Sequence, residues 1–536
     1  MSSFPRRTFD DVREALLAKR EIALLDVREE DPHAQAHPLF AANLPLAKLE
    51  LEAWTRLPRR SVPIVLLDAG EGFAERAAAK LTELGYTDVA LLDGGLDGWI
   101  GAGGEIFRDV NVPSKAFGEF VEAQRHTPSL SAEAVDALLA AGDDVVVLDA
   151  RRYDEYQTMN IPGSVSVPGG ELVLRARALA PNPATRVIVN CAGRTRSIIG
   201  TQSLVNAGLP NPVAALRNGT IGWTLAGQQL EHGSARQFDT QAGRDEANLE
   251  ASQVAAFALA TRAGVKRTTL AEAAQWAADT ARTTYRFDVR TPAEYGHAHV
   301  PGFQGAPGGQ LVQETEMFAP VRGARIVLFD DDGVRANMTA SWLAQMNHDV
   351  YVIDSATPAA LSETGAWRAP KPAAAPDLQF IDAPALAALL AEPASGVVVL
   401  DFTASANHAK AHIPGAHWIL RSRLPHAFDD LKALPDAKRY VLTCGSSALA
   451  AFVAPELAAL TGKPVQVLQG GTAAWIAAGQ PVESGAGRLA SPRIDRYRRP
   501  YEGTDNAREA MNGYLEWEYG LVAQLERDGT HGFFVI

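Results

Sequence analysis

The segment TRVIVNCAGRTRSIIGTQSLVNAG, residues 185–208, predicts a strand, a tight loop and the beginning of a helix. The apolar run at 187–189 is typical of a buried strand, and Ser197 begins a helical pattern that Gly208 can end. Cys191 lies in the loop between them, together with two arginines. Backbone N–H groups, a helix dipole and neighbouring cations lower the pKa of a cysteine thiol from about 8.5 to roughly 3.5–7.5. We therefore expect Cys191 to be a thiolate nucleophile rather than a small buried residue at a strand end.

Outward from this loop, the same pattern occurs four times along the chain. In each copy an apolar strand ends in aspartate, and a second strand ends at a loop position 42 or 43 residues later. The paired positions are Asp26 with Asp68, Asp149 with Cys191, Asp288 with Asp330, and Asp401 with Cys444. A landmark 31 or 32 residues beyond the loop position is tryptophan in three copies and leucine in the other: Trp99, Trp223, Leu361 and Trp475. Self-similarity at a fixed spacing predicts four tandem units.

Each unit alternates short apolar strands with helical patterns, which predicts an α/β fold with a parallel sheet flanked by helices. We expect the units at residues 1–110, 124–236, 263–373 and 377–485, followed by a tail at 486–536. The loop residues run Asp, Cys, Asp, Cys, which is the order of a duplicated two-unit protein. Ligands of such sheets bind outside the carboxyl ends of the strands, where Cys191 and Cys444 fall.

Composition limits the partners and the location of the protein. The chain has 536 residues and a formal net charge of −13, from 63 acidic and 50 basic side chains, which argues against general binding to nucleic acid or to an anionic membrane. Its beginning contains no apolar signal-like run, and no stretch reaches the length of a membrane span. Two cysteines cannot form a disulfide framework or a zinc cluster, and the histidines assemble no metal site. We expect a cytoplasmic protein that needs no metal and no organic cofactor.

Four features together resemble the rhodanese family of sulfurtransferases: a strand ending Asp-x-Arg, a Pro-Gly turn, the cysteine loop, and a closing Gly-Gly-x-x-x-Trp motif. The turn is present at Pro162, Pro301 and Pro414 and is lost from the first unit. The resemblance covers nearly the whole chain except the tail. It implies tandem rhodanese-like domains that transfer sulfane sulfur through a cysteine persulfide, from a small anionic donor such as thiosulfate to a thiol, cyanide or protein acceptor.

The same resemblance distinguishes active from inert units. In two-domain members the amino-terminal unit is usually inert and the carboxyl-terminal unit carries the cysteine, which matches each half of this chain. We expect the units with Asp68 and Asp330 at the loop position to be inert. A carboxylate is a weak nucleophile toward sulfur, and it repels an anionic donor.

The Cys191 loop, CAGRTRS, is similar to the cationic loops of thiosulfate-using rhodaneses. This resemblance assigns Cys191 as the nucleophile, and it assigns Arg194 and Arg196 to donor binding, since a planar guanidinium suits a sulfonate-like group. The alternative for these two arginines is a structural role in which each pairs with nearby carboxylates. Arg151, in the Asp-x-Arg turn, either contacts the substrate or braces the turn.

The Cys444 loop, CGSSALA, looks like the loop of mercaptopyruvate sulfurtransferases but departs from it at positions 447–449. It contains no cation, although Arg421 and Arg423, after the Pro-Gly turn, could reach a substrate carboxylate. Cys444 is therefore either a second catalytic cysteine, with 3-mercaptopyruvate as its donor, or a relic of the duplication.

Other functions stay open at this point. A sulfur-relay or binding module would hand the persulfide to a partner protein docked on the inert units. A phosphatase or arsenate reductase would need arginine six residues after the cysteine, whereas Arg196 is five residues after Cys191. The tail, which begins basic and becomes aromatic, is expected to pack across a domain surface; the alternatives are a lid over one loop and a dimer contact.

Overall fold

The computed structural model of the protein describes residues 4–354, 358–392, 394–425, 437–503 and 505–536. Residues 1–3, 355–357, 393 and 426–436, which fall in the predicted units one, three and four, and residue 504 of the tail lie outside the described residues. The described chain forms four sheets in which every ladder between strands is parallel, and helices flank each sheet. The predicted α/β fold of four tandem units is confirmed.

The first two sheets and their helices, here called units one and two, are joined by a long helix. The strands of unit one are Arg6–Arg7, Ala23–Asp26, Ala42–Asn43, Ile64–Leu67 and Val89–Leu92, and its helices are Phe9–Leu17, Glu30–Gln35, Leu46–Lys48, Leu49–Arg56, Phe73–Glu83 and Gly95–Gly101. The joining helix is Val112–Arg125. The strands of unit two are Ser129–Leu130, Val145–Asp149, Val165–Ser166, Arg186–Asn190 and Val213–Leu216, and its helices are Ala132–Ala141, Tyr153–Thr158, Gly169–Glu171, Leu172–Leu179, Thr195–Asn206 and Gly219–Leu225.

A second long helix, Glu246–Arg262, leads to units three and four. The strands of unit three are Lys266–Thr268, Thr284–Asp288, Gln304–Gly305, Arg325–Phe329 and Asp349–Ile353, and its helices are Leu270–Ala277, Pro292–His297, Gly308–Gln313, Thr315–Phe318, Arg335–Gln345 and Pro358–Ala360. The strands of unit four are Gln379–Ile381, Val397–Asp401, His417–Trp418, Arg439–Thr443 and Val465–Leu468, and its described helices are Ala383–Ala391, Ser405–Lys410, Arg421–Arg423, Ala448–Thr461 and Gly471–Ala477. The tail contains the strand Arg488–Leu489 and the helices Arg508–Tyr519 and Leu521–Asp528.

All four sheets have the same strand order, which is first, fifth, fourth, second, third. The fourth strand, which precedes the loop position, is therefore central. In unit two this strand, Arg186–Asn190, pairs with Val145–Asp149 on one side and with Val213–Leu216 on the other. Its apolar residues are buried, as expected for a parallel sheet that is covered on both faces. The fold thus places the loop residue at the centre of the carboxyl edge of each sheet.

Equivalent segments of units two and three meet across an interface. The short helices Gly169–Glu171 and Gly308–Gln313, which both follow the Pro-Gly turn, pack against each other. A Cβ atom on Gly170 would lie 2.9 Å from the amide nitrogen of Gly309, so this approach requires glycine. The helix Glu246–Arg262 packs against both units.

Units one and four meet in the corresponding way. Their equivalent segments, Leu46–Lys48 and Arg421–Arg423, are in contact, and both terminal nitrogens of Arg421 donate to the Glu50 carboxylate at 2.7 Å. The sequence order suggested a duplicated two-unit protein, but the equivalent surfaces join unit two to unit three and unit one to unit four. Unit one also contacts unit three, where the Tyr285 hydroxyl donates to the Arg56 carbonyl at 2.6 Å.

The tail crosses several units. Its strand Arg488–Leu489 extends the sheet of unit four, and the helix Arg508–Tyr519 lies on unit two. Near its end, Phe533 packs edge-on against Phe117 at a centroid distance of 5.3 Å. The tail packs across domain surfaces, as predicted. Of the helices in the described ranges, none combines the length and apolarity needed to cross a membrane.

Candidate active site in unit two

Cys191 lies at the junction between the central strand of unit two and the helix Thr195–Asn206. The residue is buried, with 2% of its surface exposed. Its thiol donates to the Ser197 hydroxyl at 3.4 Å, and that hydroxyl donates to the Arg194 carbonyl at 2.8 Å. A Cβ atom on Gly219 would lie 2.3 Å from the Cys191 carbonyl oxygen, so the neighbouring segment requires glycine with its φ of +55°. The strand, the loop and this turn together hold the sulfur at the helix start.

The backbone amides of the loop are available to a ligand. Within the described part of the chain, no acceptor contacts the amides of residues 192–196. These groups begin the helix Thr195–Asn206, where N–H donors have no intrahelical partner and the helix dipole favours negative charge. The arrangement suits an anionic sulfur or sulfonate.

Aspartates occupy the equivalent space in units one and three. One carboxylate oxygen of Asp68 accepts from the amides of Phe73 and Ala74 at 2.6 and 3.0 Å, and the other accepts from Gly70 at 3.1 Å. Asp330 accepts from the amides of Gly333 and Ala336 at 3.0 and 2.8 Å. In these two loops a side chain of the protein satisfies donors that the Cys191 loop leaves open.

The expectation that Cys191 is a thiolate at rest is wrong for this structure. Burial raises the pKa of the Cys191 thiol above its ordinary value, and it outweighs the opposing effects of Arg196 and of Ser197. A thiolate needs water or cations to stabilise it, and the loop is closed to water by other parts of the chain. We therefore describe the resting residue as a thiol.

Arg196 is the cation that acts on the Cys191 sulfur. Its terminal nitrogens donate to the two oxygens of Glu155 at 2.7 and 2.9 Å. This pairing lowers the pKa of Glu155 to about 2. Contact of Arg196 with a sulfur donor stays a prediction. The ion pair with Glu155, in the helix Tyr153–Thr158, is the structural role predicted as the alternative.

Arg194 belongs to a buried ion-pair cluster. Its guanidinium donates to both oxygens of Glu119 at 2.7 and 2.8 Å and also contacts Glu122. The guanidinium stacks on the Tyr519 ring, with its central carbon 4.3 Å from the ring centroid. Pairing with carboxylates is the alternative role predicted for Arg194, and its partners belong to the joining helix and to the tail.

Arg151 is fully buried in the Asp-x-Arg turn. It donates to the Asp149 carboxylate at 2.9 and 2.8 Å and to the Met159 carbonyl at 2.6 Å. These bonds brace the turn, which was one of the two roles predicted for this residue. A contact with substrate stays a prediction.

The tail helix Arg508–Tyr519 covers the Cys191 loop. A Cβ atom on Gly193 would lie 3.1 Å from the Tyr514 ring and 3.4 Å from the second carboxyl oxygen of Glu518. The fully buried Lys115 supports this arrangement: it pairs with Asp109 at 2.6 Å, inside the rings of Tyr501, Tyr514 and Trp517. This position agrees with the lid, one of the alternatives predicted for the tail.

A cavity of about 520 Å³ adjoins the loop on the side of Arg196. Units two and three and the tail all contribute to its walls. Its basic lining residues are Arg151, Arg152, Arg196, Arg496 and Arg499, and its acidic lining residues are Asp154, Glu155, Glu314 and Glu502. Arg194 is not among the lining residues.

Cys444 has the corresponding position in unit four. It is buried after the central strand Arg439–Thr443, and the helix Ala448–Thr461 that follows contains Pro455. The suggestion that Arg421 reaches a substrate carboxylate is not supported, because that side chain is buried between Glu50 and Glu456 at the interface with unit one. Within the described ranges, no cluster of His, Cys, Asp and Glu could hold a metal ion.

Comparison with known proteins identifies relatives of the whole chain and of single units. The family model of the rhodanese-like domain matches residues 8–102, 131–226, 269–359 and 382–478. The crystal structure of thiosulfate sulfurtransferase from Pseudomonas aeruginosa is 67% identical, with a TM-score of 0.96 over 99% of this chain and 100% of that chain. YrkF from Bacillus subtilis (strain 168) is 30% identical over 96 residues, which are 17% of this chain and 51% of YrkF. The chain thus spans about half the length of this curated relative.

Proposed function

The chain belongs to the rhodanese-like family, and we propose that it is a sulfurtransferase in which Cys191 carries sulfane sulfur from thiosulfate to a thiophilic acceptor. One observation carries the assignment to Cys191. Its sulfur lies beside a row of free loop amides, whereas Asp68 and Asp330 fill the equivalent rows with their own carboxylates. The similarity to the Pseudomonas thiosulfate sulfurtransferase favours thiosulfate as the donor.

The first half-reaction forms the persulfide. The Cys191 thiol loses its proton, and the resulting thiolate attacks the outer sulfur of thiosulfate. The proton ends on the departing sulfite, which leaves as hydrogen sulfite. The new bond joins the two sulfur atoms, and sulfite departs with the electron pair of the broken sulfur–sulfur bond. Arg196 favours the thiolate, and the free amides of the loop stabilise the negative charge of the persulfide.

The second half-reaction returns the cysteine. A nucleophilic acceptor, such as cyanide or a thiolate, attacks the terminal sulfur of the persulfide. The sulfur–sulfur bond breaks and the Cys191 thiolate leaves with its electron pair. The residues of this chain provide the nucleophile, the free backbone amides of the Cys191 loop and the cations. Neither half-reaction calls for a metal or an organic cofactor.

The cavity beside Arg196 is our candidate entrance for the donor. Arg196 and Arg151 line it, so both fit the predicted contact with an anionic donor. Arg194 does not line the cavity and pairs with Glu119 and Glu122, so we assign it to holding the loop in place. This division replaces the equal assignment of Arg194 and Arg196 to the donor.

Cys444 is our candidate for a second sulfur-carrying residue. Its burial after a central strand supports this role, while the loop around it carries no cation. We also propose that the protein is cytoplasmic, and the two free cysteines are in keeping with a reducing compartment.

The proposed function is tested by measuring sulfite release from thiosulfate with cyanide as the acceptor. We expect release by the unmodified protein and a fall to background in Cys191→Ser. Cys444→Ser is the matched control, because it removes the other buried cysteine, and we expect it to keep the activity with thiosulfate, since the loop around Cys444 carries no cation. Full activity of Cys191→Ser would contradict the assignment.

A further inference from the structure

Glu518, in the tail helix Arg508–Tyr519, has an unusual position for a carboxyl group. The residue is fully buried, and its first carboxyl oxygen accepts from the Tyr514 hydroxyl at 2.8 Å. Its second oxygen has no hydrogen-bond partner among the described residues. That oxygen is next to Gly193, two residues after Cys191, because it would lie 3.4 Å from a Cβ atom placed there. A buried polar atom without a partner is costly, so its presence beside the loop points to a ligand.

The surroundings of Glu518 keep its carboxyl group neutral near pH 7. Burial and the neighbouring Glu119 raise the pKa of Glu518 to about 8, against the opposing effect of Lys115. The charged and titratable groups that face it are Tyr514 on its own helix, Lys115 and Glu119 on the joining helix, and Arg194 and Cys191 in the loop. A neutral carboxyl group has one O–H donor. Since the first oxygen already accepts from Tyr514, the proton belongs on the second oxygen.

We propose that Glu518 is a donor-binding residue of the Cys191 site, whose protonated second oxygen donates a hydrogen bond to the anionic sulfur donor held over the loop amides. The inference rests on the proposed function. Glu518 comes from the tail, whereas the other residues proposed to bind the donor belong to unit two. The tail helix would therefore contribute a binding residue to the Cys191 site as well as covering it. Hydrogen bonds that involve an ionised partner are stronger than neutral ones, which makes the thiosulfate dianion a suitable acceptor.

The role of a proton acceptor from Cys191 is the competing interpretation. A carboxyl group that is already protonated cannot take the thiol proton, so the neutral state of Glu518 favours donation. The two roles predict opposite behaviour when the carboxyl group is replaced by an amide. Glutamine retains an N–H donor and nearly the same shape, but it cannot accept a proton in this pH range.

The experiment measures the KM for thiosulfate and kcat between pH 6 and pH 10, a range chosen as roughly two pH units on either side of the raised Glu518 pKa, in the full-length protein and in Glu518→Gln. We expect the KM of the unmodified protein to rise above about pH 8, because the ionised carboxylate repels the dianion, and the KM of Glu518→Gln to stay level. The titration of Cys191 affects both proteins, so the difference between their profiles belongs to Glu518. Glu516→Gln, an exposed position on the same helix, is the matched control and should follow the unmodified protein.

Glu518→Leu supplies a second test at pH 7. This variant fills the space without a donor, so we expect its KM to rise about tenfold, as for the loss of a hydrogen bond to a charged group. Parallel pH profiles of Glu518→Gln and the unmodified protein would overturn the inference, and so would a tenfold or larger fall in kcat of Glu518→Gln at pH 7. Absence of turnover by the unmodified protein at pH 7 would instead overturn the proposed function and this inference with it, so the two failures are distinguishable.

Discussion

Arg194 and Glu119 form a bidentate ion pair, with nitrogen–oxygen distances of 2.7 and 2.8 Å, between the Cys191 loop and the joining helix Val112–Arg125. Both side chains are buried. The loop of unit two is therefore held by a segment that belongs to no sheet, and the Tyr519 ring of the tail closes the other face of the same guanidinium. The position of the nucleophile depends on packing beyond its own unit.

Loss of this ion pair should destabilise the protein. In Arg194→Ala the Glu119 carboxylate is left buried without its partner, which costs about 3–5 kcal/mol of unfolding free energy. The measurement is the urea midpoint of unfolding, followed by the intrinsic fluorescence of the tryptophans. The control is Arg152→Ala, which removes the ion pairs of a largely exposed arginine with Asp154 and Glu155 and should change the free energy by less than about 0.5 kcal/mol. Equal urea midpoints for Arg194→Ala and Arg152→Ala would show that the ion pair between Arg194 and Glu119 does not stabilise the protein.

A methyl group at position 193 should loosen the tail over the nucleophile. In Gly193→Ala the new Cβ atom meets the Tyr514 ring at 3.1 Å, so the ring or the tail helix must move. We expect alkylation of Cys191 by iodoacetamide to become faster, while Cys444 in the same molecule keeps its rate. Peptide mass spectrometry separates the two cysteines. Gly445→Ala, where the nearest atom is 3.9 Å away, is the matched control in unit four, and an unchanged Cys191 rate in Gly193→Ala would contradict the covering role of the tail.

The Asp68 carboxylate should be a structural acceptor of unit one. Asp68→Ala leaves the amides of Phe73 and Ala74 buried without an acceptor, and the expected loss is about 1–3 kcal/mol of stability. Asp68→Asn retains one acceptor oxygen and should lose less stability than Asp68→Ala. The thermal unfolding midpoints of the unmodified protein, Asp68→Asn and Asp68→Ala should fall in that order. If Asp68→Ala is as stable as the unmodified protein, the carboxylate does not fill the loop in the way described.

Alkylation of Cys191 should have a pH midpoint above that of an ordinary thiol. Burial disfavours the thiolate and raises the pKa of Cys191, so the rate should still be rising beyond the free-cysteine value of about 8.5. When Cys191 ionises, the Ser197 hydroxyl can turn from the Arg194 carbonyl and donate to the thiolate, which opposes the rise in the pKa of Cys191. Ser197→Ala removes this donor and should move the midpoint further upward. The protein unfolded in urea is the reference for an ordinary thiol. A midpoint below this reference would support the resting thiolate that the loop sequence alone suggested.

Much of the fold could be predicted because the repeated features are local. Asp149 ends one strand and Cys191 follows the strand that pairs with it. The same separation of 42 or 43 residues occurs in every unit. Strand periodicity therefore located both cysteines at the carboxyl edges of their sheets. The pairing of unit two with unit three could not be predicted in the same way, since the contact of Gly170 with Gly309 leaves no periodic signal in the chain.

The site was predicted less completely than the fold. Arg194 and Arg196 are adjacent to the cysteine in sequence, but their carboxylate partners, Glu119 and Glu155, lie 75 and 41 residues away. The charges of the loop alone therefore predicted a resting thiolate, whereas burial raises the pKa of Cys191 and disfavours that state. Glu518 lies farther still along the chain, and only the folded tail brings it to Gly193.

The most direct test of the account is the mass of the Cys191 peptide after the protein is mixed with thiosulfate. We expect a gain of one sulfur atom on Cys191, no such gain in Cys191→Ser, and loss of the added sulfur when cyanide is supplied. A protein that never acquires this sulfur on Cys191 from thiosulfate, while remaining folded, would contradict the claim that Cys191 is the sulfur carrier.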